Sequence, residues 1–143
     1  GWLTPESGET EMSVTVINEM LGRTFEEVFK NGNDELVFRG DYSCGVWGTV
    51  FTFFHSQACC EKVWIEDIVG DLDDLQGEPL TEAEVVTEEC DVGDGHQTWS
   101  FFKFGTSKGC VTVRWCGESN GFYSERVSLK RELTDVFDFD SDF

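Results

Sequence analysis

Residues 99–130 constrain the fold more than any other stretch. Three short runs, 99–104, 110–116 and 122–130, are rich in aromatic and β-branched residues, the side chains that suit a pleated, half-buried surface. The segments 105–109 and 117–121 separate them, and each begins and ends with glycine. Such spacing predicts a meander of consecutive hairpins. Side chains alternate across a strand, so faces follow from the loops. With symmetric loops, Trp99, Phe101, Lys103, Val111, Val113, Trp115, Tyr123, Val127 and Leu129 share one mostly apolar face, expected to be core. Ser100, Phe102, Phe104, Cys110, Thr112, Arg114, Cys116, Phe122, Ser124, Arg126 and Ser128 share the other. In that register Arg114 lies opposite Ser124 and Arg126 opposite Thr112, which makes the two arginines diagonal neighbours.

The upstream pattern agrees with a β protein. Residues 24–30 and 35–39 flank Asn31-Gly32-Asn33-Asp34 and read as a hairpin. Residues 47–55, 62–69 and 81–89 read as further strands. Residues 15–22 and 71–76 suit short helical turns that end at Gly22 and Gly77. Residues 90–96 read as a glycine-bearing acidic loop. The expected fold is mainly β, an antiparallel meander or two-layer sheet with one or two short helices. Thirteen Phe and five Trp need more than one layer to bury them. The 143 residues suit one domain, expected over 12–131, with a flexible leader (1–11) and an acidic Phe/Asp tail (132–143).

Charge narrows the partners. The formal net charge is −19, which disfavours a protein that grips nucleic acid directly or coats an anionic membrane, because both need a surplus of Lys and Arg. The acids are unevenly spread: residues 61–94 hold thirteen acids and one base, whereas residues 95–131 hold six bases and two acids. The asymmetry admits two readings: basic strands paired with acidic neighbours, or an acidic exterior around a local cationic site. No apolar run is long enough to span a bilayer, and no secretory signal pattern is visible. A cytoplasmic setting with reduced cysteines follows as the expectation.

Six cysteines are present, but no Cys-x-x-Cys pair, so a zinc ribbon or thioredoxin-like motif is unsupported. The densest set of candidate ligands is His55-Ser56-Gln57-Ala58-Cys59-Cys60-Glu61. There packing at a strand end is the first reading, His55, Cys59 and Cys60 are weak metal candidates, and a thiol–imidazole pair ranks below that. His96 stands in the acidic loop and has no evident base partner. Paired acids occur too often in a chain with 29 of them to mark a catalytic dyad, and no nucleotide, hydrolase or metalloprotease motif occurs. Enzymatic activity is disfavoured, no catalytic residue is nominated and no cofactor is expected.

Two segments, residues 55–86 and 98–129, together resemble a family of small domains of unknown function encoded by phages and prophages. The shared pattern is His-Ser-Gln-x-Cys-Cys-Glu, then Ile-Glu-Asp-Ile-x-Gly-Asp-Leu, then Lys-Gly-x-Val-x-x-Arg-Trp-x-Gly-x-Ser-Asn-Gly-x-Tyr-Ser. The family pattern has an aromatic residue where this chain has Cys116, which weakens a chemical role for that thiol. The resemblance implies a small protein made in the host cytoplasm during infection, where stoichiometric binders commonly act against host factors.

The leading functional expectation is a non-enzymatic counter-defence protein that sequesters a small anionic, nucleotide-like signal. Arg114, Arg126 and Lys103 are the candidate phosphate ligands. Phe102 or Phe122 is the stacking surface, and Asn120 with Gly121 forms the contacting loop. Glu118 in that loop counts against an anion, and a homo-oligomer would help to concentrate positive charge. The alternative is an acidic inhibitor that imitates nucleic acid before a basic host protein. A metal or thiol site at His55, Cys59 and Cys60 is the third reading.

Overall fold

The first hairpin forms where the turn residues place it. The computed structural model describes residues 17–42, 44–45 and 47–133. Strand β1 (Phe25–Asn31) pairs antiparallel with β2 (Glu35–Gly40) around Gly32, which adopts a positive φ of 64°. β2 pairs with β3 (Thr49–Phe54). The chain then crosses to a second sheet and forms β4 (Lys62–Val69), a 3₁₀ turn (Leu72–Leu75), β5 (Glu82–Val92), β6 (Gly95–Thr106) and β7 (Gly109–Ser119). Finally β8 (Ser128–Leu133) returns to the first sheet and pairs with β3. The result is two four-stranded antiparallel sheets, ordered β1-β2-β3-β8 and β4-β7-β6-β5. The mainly β expectation holds, and the layers number two.

Aromatic rings fill the space between the sheets. Phe38 meets Phe104 at 4.9 Å between ring centroids, and Phe53 meets Phe102 at 4.9 Å, so each contact joins one sheet to the other. Phe25, Phe51, Leu75, Leu80, Val111, Val113 and Trp115 complete the buried cluster. Tilted and edge-on ring pairs of this kind add roughly 0.5–1.5 kcal/mol each beyond the area they bury. The 3₁₀ turn begins where Asp71 caps it by accepting from the Asp73 amide. Its residue Leu75 plugs one end of the sandwich, the end where β6 turns into β7.

Four sequence expectations need correction. Residues 105–109 are not a five-residue loop: β6 runs to Thr106 and β7 starts at Gly109, which leaves a two-residue connection. That change shifts the pairing by one residue and moves every β6 side chain to the opposite face. Phe102 therefore lies opposite Val113 and Phe104 opposite Val111. The core takes Ser100, Phe102 and Phe104 together with Val111, Val113 and Trp115, while Phe101 and Lys103 share the outer face with Arg114 and Thr112. Residues 90–96 are not a loop either, because β5 and β6 continue to a two-residue turn at Gly93 and Asp94.

Residues 122–130 do not form a hairpin with β7. Residues 120–127 lie outside any strand, and β8 joins the other sheet. Arg114 and Arg126 are thus not diagonal neighbours. The fourth correction concerns the thiols: Cys59 and Cys60 are joined to each other, while Cys44, Cys90, Cys110 and Cys116 are free. The leader and all of the tail beyond Leu133 lie outside the described residues. None of the helices among the described residues is long and apolar enough to cross a membrane.

Candidate functional site

Both chain crossings between the sheets lie at the end of the sandwich opposite the 3₁₀ turn, and they hold each other. The first crossing contains the His55–Glu61 motif. Glu61 is buried, and its carboxylate accepts from the Ala58 and Cys59 amides at 2.7 and 2.9 Å and faces His55 Nε2 at 2.7 Å. The Ala58 amide, then the His55 contact, lower the Glu61 carboxyl to about pKa 2, against the cost of burial. Gln57 Nε2 closes the loop by donating to the Cys59 and Glu61 carbonyls. His55 Nδ1 donates to the Arg126 carbonyl at 2.7 Å in the second crossing. A carbonyl oxygen can only accept, so Nδ1 carries a proton. The motif that looked like a metal or nucleophile cluster is a self-satisfied loop. Both ring nitrogens of His55 are committed, and the described residues contain no group of three or more His, Cys, Asp or Glu able to hold a metal ion.

The second crossing, residues 120–127, folds back between the sheets and inserts Glu125. Gly117 permits this. A Cβ at Gly117 would lie 2.8 Å from the Glu125 carbonyl oxygen and 2.7 Å from its Cβ, closer than real atoms approach. Glu125 is buried, and Oε1 accepts from His96 Nδ1 at 2.9 Å and Thr98 Oγ1 at 2.7 Å, while Oε2 accepts from Ser119 Oγ. Burial works to raise the Glu125 carboxyl, but the bonds from Ser119, Thr98 and His96 outweigh it and hold it below the ordinary range. The Glu125 bond in turn raises His96, against desolvation, with help from Glu89 at 3.3 Å from Nε2. His96 thus stands on a strand between two carboxylates, not in the acidic loop expected for it.

Beside this cluster a cleft of about 650 Å³ opens between the sheets. Val85, Thr87 and Glu89 of β5 and His96, Thr98, Ser100 and Phe102 of β6 form one wall. Phe53, Leu129, Ile17 and the crossing from Gly121 to Val127, with Tyr123 and Arg126, form the rest. Of the seven nominated ligand residues, the cleft gathers Phe102, Gly121 and Arg126.

The other four are elsewhere. Arg114 is on the outer face of β7, where Nε and Nη2 donate to Glu66 at 2.9 and 2.5 Å and Nη2 lies 3.6 Å from Asp67. A bulge in β4 between Ile65 and Asp67 breaks the alternation there, which lets consecutive acids reach one guanidinium. The Trp99 ring lies 5.6 Å below that guanidinium. Lys103 lies on the same outer face, between Glu84 and Thr112 in register. Phe122 is 86 % exposed. Asn120 spends its side-chain oxygen on the Phe122 amide and lines a smaller hollow with Cys60, Glu61 and Tyr123. Cys116 lies between Trp64 and Trp99 in register, and burial pushes its thiol up to about 11, which removes it as a nucleophile near neutral pH.

Residues 18–129 match the family described as domain of unknown function DUF7448. The chain belongs to that family. The match ends inside β8, so it takes in both crossings and the whole second sheet. No curated protein and no solved structure matches the chain.

Proposed function

We propose that this family member is a non-enzymatic binding protein that holds a small, polar, ring-bearing molecule of little net charge in the cleft between its sheets. The observation that carries the reading is the cleft, whose volume of about 650 Å³ is in the range of small-molecule sites. Its floor is apolar (Phe53, Phe102, Leu129), while Thr98, Ser100 and Tyr123 bring hydroxyls to its lining, that of Thr98 donating to Glu125. Besides the Tyr123 phenol, the ionisable side chains in its wall are two acids, Glu89 and Glu125, and two bases, His96 and Arg126, so the lining favours neither a strong anion nor a strong cation. A nucleoside has the required mix of flat ring and hydroxyls.

The hydrogen bonding argues for binding over catalysis. Both Glu125 oxygens accept bonds, and both His96 nitrogens face carboxylates. A general base needs a lone pair aimed at substrate, whereas three protein donors already share the Glu125 carboxylate and both His96 nitrogens face acids. The anionic-signal reading loses the pairing of Arg114 with Arg126 on which it leaned. A phage origin, a counter-defence role and a host-cytoplasmic setting rest on the motif resemblance and stand as parts of this proposal.

The test is an NMR titration of the labelled protein with a nucleoside and, separately, with its 5′-monophosphate. Shifts centred on the amides of Thr98, Ser100, Phe102 and Gly121, at least as strong for the nucleoside as for the phosphate and lost in a cleft-filling Ser100→Phe variant, are the expected result. Binding about tenfold tighter for the phosphate, a difference of roughly 1.4 kcal/mol, would restore the anionic reading. Silence at those amides with both probes would reject a nucleoside-like ligand.

A further inference from the structure

Sheet edges are sites where another chain can add a strand, and folded proteins blunt them. Among the described residues, two of the four edges are blunted structurally and a third is short. β1 carries a bulge between Phe25 and Glu27, and residues 76–77 lie along it, with Gln76 Oε1 accepting from the Val28 amide and the Gly77 amide donating to the Phe25 carbonyl. β4 carries the bulge at Ile65/Asp67, and its Ile65 amide donates to Asn33 of the first hairpin turn. β8 spans six described residues, about half the length of β5. β5 differs: it has eleven residues, pairs with β6 in unbroken register, and its other flank pairs with no strand among the described residues. From Val86 to Val92 every residue is exposed.

The only device on β5 is charge. Register places Glu82, Glu84 and Glu88 on its outer face and Glu89 and Asp91 on its inner face. Acids on both faces repel a second copy of the same edge and leave the backbone donors and acceptors open to a strand of opposite sign, since like charges directly opposite destabilise a pair and opposite charges stabilise it. We propose that the free flank of β5 accepts an extended, Lys/Arg-rich segment of another protein as a fifth strand of the second sheet. Main-chain bonds supply the affinity, and the alternating acids select for charge. This does not depend on what fills the cleft.

The experiment uses an eleven-residue synthetic peptide that alternates Lys with Val, titrated into the intact labelled protein. Two controls accompany it: a peptide with Glu in place of Lys, and a Lys/Val peptide N-methylated at alternate residues, which keeps every charge and removes one flank of N–H donors. Expected are shifts and slowed hydrogen exchange at alternate β5 amides, no binding of the Glu peptide, and loss of about tenfold or more in affinity on N-methylation. Glu84→Lys with Glu88→Lys should weaken the Lys/Val peptide to a similar extent. Equal binding of the N-methylated peptide would show diffuse charge attraction and overturn strand addition. Alternate β5 amides already protected without peptide, whether by a second copy or by residues 1–16, would overturn it too. Cleft binding reads out at Phe102 and Gly121, so either proposal can fail alone.

Discussion

Replacing Glu125 in two ways separates charge from hydrogen bonding at the crossing that shapes the cleft. Three side-chain donors converge on this carboxylate, from His96, Thr98 and Ser119. Glu125→Gln keeps the shape. Its oxygen can still accept from His96 and Thr98, and its amide can donate to a rotated Ser119 hydroxyl. Only the ionic part of the bonds is lost, about 1 kcal/mol. Glu125→Leu removes every acceptor and leaves three donors without partners. An unsatisfied buried donor costs roughly 1–3 kcal/mol, and rotation of the two hydroxyls toward other acceptors trims the total, so the expected loss is about 3–5 kcal/mol. Urea unfolding reads the difference. With a slope near 2 kcal/mol per molar, the Gln midpoint should fall by about 0.5 M and the Leu midpoint by about 1.5–2.5 M. Both variants should also lower the titration midpoint of His96 observed by NMR, because the Glu125 bond is the main cause of its rise. Equal midpoints for Gln and Leu would mean that packing, not the carboxylate, holds the crossing, and would refute the reasoning.

Gly117→Ala should destabilise the fold by about 1–3 kcal/mol, since the new methyl meets Glu125 backbone that cannot swing away, and nucleoside binding should weaken with it; a wild-type denaturation midpoint would exclude the close approach. Acid should act on the first crossing. The Glu61 carboxyl is lowered from 4.5 to about 2 in the fold, so its contribution is full above about pH 4.5 and is lost as pH falls toward 2. A Glu61→Gln variant should lose that part of the acid dependence, and an unchanged acid limb would disprove it. His96 has the opposite sign. Its raised value gives a contribution that is full below about pH 6.5 and fades as pH rises through the folded value, and His96→Gln should flatten that alkaline limb in pH-dependent unfolding.

Periodicity and turn chemistry alone determined that this chain is an antiparallel β protein. The hairpin at residues 31–34, the strand over 62–69 and the acidic turn near Leu72 were legible because local rules govern them: side-chain alternation and glycines that close turns. The faces of β6 were not legible, because they depend on whether a connection has five residues or two, and one residue of register inverts a strand. Nor did the sequence reveal that residues 120–127 leave the second sheet. A crossing and a hairpin share the same glycines and asparagines, and the choice is made by what the far strand buries against.

The site followed the same division. Phe102, Gly121 and Arg126 were nominated and do line one cleft, but Glu125 and His96, which organise it, were missed. They are 29 residues apart in the chain, and no local spacing links them. The acids of residues 61–94 signalled charge without an address, and only the bulge in β4 directs Glu66 and Asp67 onto Arg114. Sequence fixes strands through neighbours along the chain, whereas charge partners and cavities are set by which strands lie face to face, and that is decided by tertiary packing.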